Sequence, residues 1–271
     1  ELCINDLNKK NIPVICLAHG NELFGDSIVK KDRISSTLNK ASIIITNSHY
    51  TFGLVEKIVK NNNQIKVVLP GANDLRSIQT DSTMQIQGDP ILLTLARLEK
   101  RKGHIFILQT IQKLKKRFPN VKYIIAGEGS QKNTLYQFVR KNDLFKNVFF
   151  IDSVNEQQKK KLFDCTTLMV MPTVDESNNR SIEGFGIVYL EAAFFGIPSI
   201  ASNVGGTPEA VLNGSTGIII DNHKQLFFHL NNLLLNKDKL KLLGENARKR
   251  AEKSFTWDKV INNYLSTLHN H

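Results

Sequence analysis

From residue 91 onward, short apolar runs alternate with longer stretches in which apolar positions recur at helical spacing. Short apolar runs between turn residues are typical of buried strands, and the longer periodic stretches are typical of amphipathic helices. The predicted strands are Ile91–Ala96, Val121–Ala126, Val148–Ile151, Leu168–Met171, Ser199–Ala201 and Gly217–Ile220. The predicted helices are Gly103–Arg117, Ser130–Asn142, Glu156–Phe163, Ile187–Phe195, Lys224–Leu235, Lys237–Lys253 and Trp257–His269.

This regular alternation predicts an α/β fold with a doubly wound, Rossmann-like parallel sheet over residues 91–254. Right-handed crossovers place helices on both faces of such a sheet. Ligands bind at the carboxyl ends of its strands, near the point where the strand order reverses. We therefore expect functional side chains directly after strands.

The first ninety residues carry three strand patterns, Val14–Ala18, Ile43–Thr46 and Lys66–Leu69, each followed by a turn or a helix. Three strands are too few for a complete doubly wound domain. We interpret residues 1–75 as the C-terminal part of a truncated Rossmann-like domain whose beginning is missing. Residues 76–90 are polar and weakly periodic, and are predicted to be a linker.

Composition describes an ordinary globular protein, with 41% hydrophobic and 23% charged residues. No apolar run approaches the ~20 residues of a membrane-spanning helix, and the sequence begins at Glu1 without a signal-peptide pattern. Cys3, Cys16 and Cys165 are widely separated and odd in number, which argues against a disulfide framework or a zinc site. We expect small core thiols in a reducing, cytoplasmic compartment.

Net charge is +11, from 36 Lys and Arg against 25 Asp and Glu. A basic balance fits nucleic acid, an anionic membrane or a polyanionic substrate. The basic residues are dispersed along helical stretches such as 113–117, 159–161 and 248–250, without a nucleic-acid motif. Solvated helix faces are the favoured interpretation, nucleic acid is not an expected partner, and peripheral contact with the inner face of the cytoplasmic membrane is the second alternative.

The densest chemical pattern runs from Glu183 to Glu191, where two glutamates stand eight residues apart. Gly184 and Gly186 lie between them, just before a predicted helix. Glycines let backbone N–H groups approach an anion, and a helix N-terminus adds its dipole. Alternatively, Glu183 caps the helix and Glu191 lies on its solvated face. The pattern by itself leaves both interpretations open.

Two further motifs follow in order, Gly196-Ile-Pro198 and Gly205-Gly206-Thr-Pro-Glu209. Together with Glu183-x7-Glu191, they resemble the donor-binding pattern of the retaining glycosyltransferases of family GT4. The wording around Glu183 is most similar to the phosphatidylinositol-mannoside mannosyltransferases that use GDP-mannose. The resemblance covers almost the whole chain and implies a GT-B fold, with residues 1–75 on the acceptor side and residues 91–254 binding a nucleotide-diphosphate sugar.

The resemblance also implies roles for single residues. Arg97 and Lys102 resemble the R-x4-K pair that meets the donor diphosphate, and Glu183 would hold hydroxyls of the transferred sugar. His19 resembles the H-G-x-E histidine that reaches the sugar from the opposite domain. The other implied donor-binding residues are Gly127, Glu128, Ser153, Gly184, Phe185, Gly186, Ile187, Val188 and Glu191. Residues 255–271 are expected to form a helix crossing back to the first domain.

The sequence contains no D-x-D motif, so we expect metal-independent transfer without a cofactor. The resemblance implies a retaining hexosyltransferase, with mannose as one candidate sugar, a GDP- or UDP-linked donor and a cell-envelope lipid or saccharide as acceptor. Glu191 would bind the ribose hydroxyls of the donor. Two alternatives stay open: a nucleotide-sugar 2-epimerase of the same fold, and a non-catalytic nucleotide-sugar-binding partner.

Overall fold

The computed structural model describes residues 3–24, 27–80 and 86–269, which form two parallel sheets. The first sheet contains β1 (Ile15–Ala18), β2 (Ile43–Thr46) and β3 (Ile65–Val67), in that order. All three strands that the sequence predicted for this part are present. Strand β2 is buried along its whole length because it is the central strand.

The second sheet has six parallel strands, and every strand predicted for this part of the chain is present. They are β4 (Ile91–Leu95), β5 (Lys122–Ala126), β6 (Val148–Ile151), β7 (Leu168–Met171), β8 (Ser199–Ser202) and β9 (Gly217–Ile220). Their spatial order is β6-β5-β4-β7-β8-β9. The chain builds outward from β4 in one direction and then returns to β4 with β7, so the strand order reverses between β4 and β7. The doubly wound prediction is confirmed.

Helices connect these strands. They are α1 (Ile4–Lys9), α2 (Ile28–Lys40), α3 (His49–Glu56), α4 (His104–Leu114), α5 (Lys132–Lys141), α6 (Glu156–Cys165), α7 (Ile187–Phe194), α8 (Thr207–Ala210), α9 (Leu226–Leu235), α10 (Lys237–Ser254) and α11 (Trp257–His269). Helices α1 and α8 had no predicted counterpart, and the positions of α2 and α3 were predicted only as a turn or a helix after a strand. No helix within the described ranges is long and apolar enough to cross a membrane.

The second sheet is buried on both faces, which explains its near-continuous apolar strands. Successive residues of β4 point to opposite sides: Leu93 packs in one core cluster with Ile124 and Met169, and Leu92 packs in the other with Tyr123. All five side chains are fully buried. This two-sided burial made these strands recognisable in the sequence.

Helix α11 packs against the first sheet. Val260 is buried in a cluster with Ile43, Ile45 and Val68. The indole Nε1 of Trp257 donates a hydrogen bond of 2.7 Å to the Asn73 side-chain oxygen. The C-terminal helix therefore contacts the first sheet and the segment that follows it.

The domain boundaries 1–75, 76–90, 91–254 and 255–271 stay predictions. Residues 81–85 of the predicted linker and residues 270–271 of the terminal segment lie outside the described residues.

Candidate functional site

The segments that follow β4 and β7 flank the point where the strand order reverses. Strand β4 pairs directly with β7, with Leu92 opposite Leu168 and Leu93 opposite Met169. The segments after β4 and β7 leave this point in opposite directions across the sheet. A crevice therefore opens between them at the carboxyl ends of the strands. The segment after β4 carries Lys102, and the segment after β7 carries Glu183.

A buried ion cluster joins these two segments. One carboxylate oxygen of Glu183, Oε2, accepts hydrogen bonds from Arg101 Nη1 at 2.6 Å and from Lys102 Nζ. The exposed fractions are 3% for Arg101, 9% for Lys102 and 8% for Glu183. Two cations and one carboxylate at a strand-end crevice leave a surplus of positive charge, which suits a phosphorylated ligand.

The same contacts determine the protonation state of the Glu183 carboxyl group. Burial by itself would raise the pKa of Glu183, but the neighbouring charges of Lys102 and Arg101 outweigh it and lower that pKa. Glu183 is therefore an anion at neutral pH. Its carboxylate can hold both cations in place and still offer Oε1 to a ligand.

The turn that carries the two cations depends on a glycine. Residues Lys100–Lys102 form one 3-10 turn, which Gly103 ends in the left-handed conformation at φ +70°. A side chain at Gly103 would lie 2.2 Å from the carbonyl oxygen of Pro172, which directly follows β7. Glycine at this position lets the β4 segment approach the β7 segment closely enough for the ion cluster to form.

Arg97 is not part of the cluster. Its side chain is 69% exposed and forms an ion pair of 2.8 Å with Glu99. The sequence reasoning paired Arg97 with Lys102 and gave no role to Arg101, which the structure places beside Lys102. The run Lys100-Arg101-Lys102 was the only sequence signal, and it does not reveal which of three adjacent cations a tight turn will bury. The diphosphate role of Arg97 stays a prediction.

The N-terminus of α7 faces the same edge of the sheet. Gly186 precedes the helix at φ +99°, where an added Cβ would lie 2.6 Å from the Tyr189 ring. Among the described residues, no side chain caps this terminus. Tyr189 donates a hydrogen bond of 2.9 Å to the Met171 carbonyl and thereby ties the helix to the end of β7. The amides of Ile187 and Val188 lie at this terminus, where the geometry suits an anion, and their contact with a donor stays a prediction.

Phe185 and Glu191 flank this terminus in different surroundings. Phe185 is buried and packs on Phe255 with ring centroids 6.1 Å apart. Glu191 is 9% exposed and accepts a hydrogen bond of 2.8 Å from Lys159 Nζ. The sequence analysis assigned Lys159 to a solvated helix face, and that assignment is wrong because the side chain reaches Glu191. The ribose role of Glu191 stays a prediction.

The remaining predicted donor residues lie at the ends of β5 and β6. Gly127 follows β5 at φ +136°, and an added Cβ would lie 2.1 Å from the Ala96 carbonyl. The carbonyl of Glu128 accepts a hydrogen bond of 2.7 Å from Leu98, while its side chain is exposed. Ser153 is exposed after β6. These residues share one sheet edge with the ion cluster, and their contacts with a nucleoside stay predictions.

The part of the chain that carries the first sheet, called here the first unit, meets this edge at His19. The part that carries the second sheet is called the second unit. The exposed His19 directly follows β1, and its carbonyl accepts a hydrogen bond of 3.3 Å from the Asn47 side chain. A side chain at Gly184 would lie 2.2 Å from that same carbonyl. The Ile182 amide donates a hydrogen bond of 2.7 Å to Asn21. The structure therefore brings His19 against the loop that contains Glu183 and Gly184.

Glu209 makes a second connection between the two units. Its carboxylate accepts hydrogen bonds from the backbone amides of His49, at 2.8 Å, and Tyr50, at 3.0 Å, at the N-terminus of α3. A carboxylate is stabilised there by the helix dipole and the free amides. Glu209 was noted in the sequence only as part of a turn motif, and nothing in the sequence pointed to this contact.

A buried row of hydrogen-bonded side chains lies beside the segment that follows β4. It starts at His104, the first residue of α4. His104 Nδ1 lies 3.1 Å from the Tyr123 hydroxyl, which lies 2.9 Å from Thr94 Oγ1. Thr94 donates to the Val170 carbonyl. Because the Thr94 proton is used in this way, Tyr123 donates to Thr94 and His104 Nδ1–H donates to Tyr123. Burial lowers the pKa of His104 to about 4, so the ring is neutral at pH 7.

We expect the buried His104 to make folding stability depend on pH. The unfolded chain takes up a proton below about pH 6.5, whereas the folded chain takes it up only near pH 4. The free energy of unfolding should therefore be unaffected by His104 above pH 6.5 and fall by about 3 kcal/mol between pH 6.5 and pH 4. Urea denaturation across this range, with His104→Gln as the comparison, measures the effect. Parallel curves for the two proteins would contradict it.

Solved structures share this fold. Anabaena Alr3699/HepE, in complex with UDP and glucose, superimposes with a TM-score of 0.83 at 18% identity, covering 99% of this chain and 74% of that one. Sucrose-phosphate synthase from Thermosynechococcus elongatus gives 0.77 at 20% identity, covering 98% of this chain and 69% of that one. The two parallel sheets with their interleaved helices, together with these structural matches, confirm the predicted GT-B fold class.

The family follows from the sequence match. The family model of glycosyl transferases group 1 matches residues 76–250, and the chain belongs to this family. A GDP-mannose-dependent alpha-(1-6)-phosphatidylinositol monomannoside mannosyltransferase from Mycolicibacterium smegmatis is 26% identical over 77% of this chain. The chain spans 56% of the length of that relative. Spore coat protein SA from Bacillus subtilis is 27% identical over 95% of this chain and 73% of its own length. The resemblance seen in the sequence is confirmed.

Proposed function

We propose that this chain binds a nucleotide-diphosphate sugar and transfers its hexose, with retention of configuration, to an acceptor. The observation that carries the proposal is the arrangement at the reversal of strand order. There, Arg101 and Lys102 are held by Glu183, and the α7 N-terminus opens toward the same edge. Family membership supports a glycosyl transfer reaction.

A departing nucleotide diphosphate gains negative charge as the glycosidic bond breaks. Lys102, Arg97 and the amides of Ile187 and Val188 would stabilise that charge without a metal ion. Preorganised donors of this kind each contribute roughly 10²–10³ in rate, since they are already oriented when the charge develops. Burial of Lys102 and its contact with Glu183 support this preorganisation.

The sugar and the ribose would be held by carboxylates. Glu183 has Oε1 left for sugar hydroxyls because both cations bind Oε2. Glu191 is bound by Lys159 through Oε1, which leaves Oε2 to accept a ribose hydroxyl. His19 would contact the sugar from the first unit, since its backbone already meets Gly184.

We propose transfer on one face of the sugar. The bond from the anomeric carbon to the diphosphate oxygen breaks while the acceptor oxygen attacks from the same face. The acceptor proton passes to the departing phosphate oxygen. This route accounts for retention without a second carboxylate acting as nucleophile.

The donor is proposed to be GDP- or UDP-linked. The mycobacterial relative is named as GDP-mannose-dependent, while the Anabaena structure contains UDP and glucose. We propose a lipid or polysaccharide of the cell envelope as the acceptor and the cytoplasm, with peripheral membrane contact, as the location.

Incubation of the full-length protein with a panel of GDP- and UDP-sugars, followed by mass spectrometry, tests the proposal. We expect a mass increase of one hexose on an acceptor and release of nucleotide diphosphate only when acceptor is present. Diphosphate release with a free, isomerised sugar would instead identify an epimerase. Failure of every donor to give either product would overturn the proposal.

A further inference from the structure

A second cleft lies beside the junction of the two units, outside the donor residues described above. It has a volume of about 540 Å³, within the range of roughly 300–1,000 Å³ that is usual for small-molecule sites. One wall comes from Leu23, Phe24 and α2 in the first unit. The other comes from Ser177, Asn178 and Arg180, shortly before Glu183 in the chain.

The position of this cleft links it to the transfer site. Leu23 stands four residues after His19, and Arg180 stands three residues before Glu183. The hydrogen bond from the Ile182 amide to Asn21 closes the junction between the two walls. The cleft therefore lies next to the two loops that carry His19 and Glu183.

The residues that line the cleft carry more positive than negative charge. Three cations line it, Lys31 from α2, Lys57 from the end of α3 and Arg180 from the second unit, against one carboxylate, Asp32. Within the described ranges, none of the three cations forms an ion pair. Three cations from separate elements around one cleft favour binding of an anion. Lysine and arginine commonly bind phosphate groups.

The segment that carries Arg180 is held in an unusual conformation. Arg180 has φ +60°, a left-handed conformation that costs a residue with a side chain on the order of 1 kcal/mol. The turn is closed by hydrogen bonds from Arg180 to Ser177, at 2.9 Å, and from Ser181 to Glu176, at 3.1 Å. Asp175 accepts from the Ser177 amide at 2.8 Å. The chain thus places Arg180 at the cleft by a built turn.

The floor of the cleft is partly apolar. Leu23, Phe24, Ile34 and Ile58 line it next to the cations. A free phosphate ion would leave this apolar surface uncovered, whereas a phosphate attached to a sugar ring or a lipid would cover it. The combination favours a phosphorylated organic molecule over inorganic phosphate.

We propose that this cleft, called here the basic cleft, binds the phosphate group of the acceptor. The acceptor is then a phosphorylated saccharide or a saccharide lipid with a phosphate headgroup. This inference rests on the proposed function, because it assumes that a sugar acceptor must lie next to the donor. It adds the chemical class of that acceptor, which the donor site does not define.

The test is a charge reversal with a matched control. Lys31→Glu combined with Lys57→Glu changes the basic cleft, and Lys249→Glu combined with Lys253→Glu changes the net charge equally on α10. All four lysines are exposed. Binding of glucose 6-phosphate and of glucose is measured by calorimetry, and sedimentation with phosphatidylcholine vesicles, with and without phosphatidylglycerol, is measured in parallel. Lys31→Gln with Lys57→Gln replaces the first pair if the glutamates impair folding.

We expect the cleft variant to weaken phosphate binding by about tenfold or more, corresponding to loss of one charge-assisted hydrogen bond. The α10 control should bind as the wild type does. Loss of glucose 6-phosphate binding identifies a soluble phosphorylated acceptor, and loss of binding to the phosphatidylglycerol vesicles alone identifies a lipid phosphate. Both results support the proposal.

Equal binding of glucose and glucose 6-phosphate, equal losses in the two variants, or no binding in either arm would overturn it. Equally tight binding of glucuronate would overturn the choice of phosphate. UDP and GDP titrations on the same proteins keep the two proposals apart. Absence of nucleotide binding in the wild type contradicts the proposed function, whereas the basic cleft is judged by the difference between its variant and the control.

Discussion

Glu183→Ala is expected to lower the free energy of unfolding by about 3–5 kcal/mol, because it leaves two buried cations without their shared carboxylate. Arg101 and Lys102 are 3% and 9% exposed, so neither can recover its hydration without moving. Among the residues that the structure describes, the Arg101 side chain would then have one acidic neighbour left, Glu99, at 3.9 Å. The loss should also remove transfer activity, since Lys102 would no longer be held at the crevice.

A double variant separates this electrostatic effect from a loss of packing. If unpaired charge is the cause, Glu183→Ala combined with Lys102→Met should be more stable than Glu183→Ala alone, because one of the stranded cations is gone. Glu191→Ala is a useful comparison, since its partner Lys159 has a side chain 23% exposed that can turn to water. Urea denaturation measures all three. A cost below about 1 kcal/mol for Glu183→Ala would contradict the buried ion cluster.

The second large effect is expected from Gly184→Ala. The added methyl group would lie 2.2 Å from the His19 carbonyl and 2.9 Å from Asn47 Nδ2, so the two units must move apart locally. A displacement of about 1 Å between reacting groups can cost on the order of 10² in rate. We therefore expect kcat to fall by about two orders of magnitude. Nucleotide binding should be less affected because Lys102 and Glu191 lie within the second unit.

Gly53→Ala provides the matched control for this prediction. Gly53 lies inside α3, and an added Cβ there meets nothing within 4 Å. Alanine has the higher helix propensity, so this variant should be as stable as the wild type or slightly more stable. Steady-state rates of nucleotide diphosphate release compare the two. Equal rates for Gly184→Ala and Gly53→Ala would show that the contact with His19 has no part in transfer.

The sequence predicted the strands of the second sheet well because that sheet is covered on both faces. Strands β6, β7 and β9 have the predicted bounds. The other three strands of this sheet differ from their own predicted bounds by one residue at one end. Helices with weaker patterns were harder to place. Helix α8, with four residues, carries no helical repeat that a sequence could show. The periodicity of the sequence does not predict the strand order, because β4 pairs with β7, which lies more than 70 residues further along the chain.

The candidate site was predicted at the level of segments rather than contacts. Lys102 and Glu183 were both named, and the structure brings them together. Arg101 was missed because adjacent cations in a turn look alike in a sequence. Glu209 was missed as a contact because its partners, the amides of His49 and Tyr50, are backbone groups that no side-chain pattern reveals.

We propose that the crevice beside β4 and β7 binds a nucleotide-diphosphate sugar. Calorimetric titration of UDP and GDP into the wild type and into Glu191→Ala tests it most directly. We predict saturable binding of at least one nucleotide to the wild type and a binding weaker by about tenfold or more in the variant, which loses a charged acceptor for the ribose. No binding of either nucleotide to the wild type, or equal binding to both proteins, would contradict the assigned site.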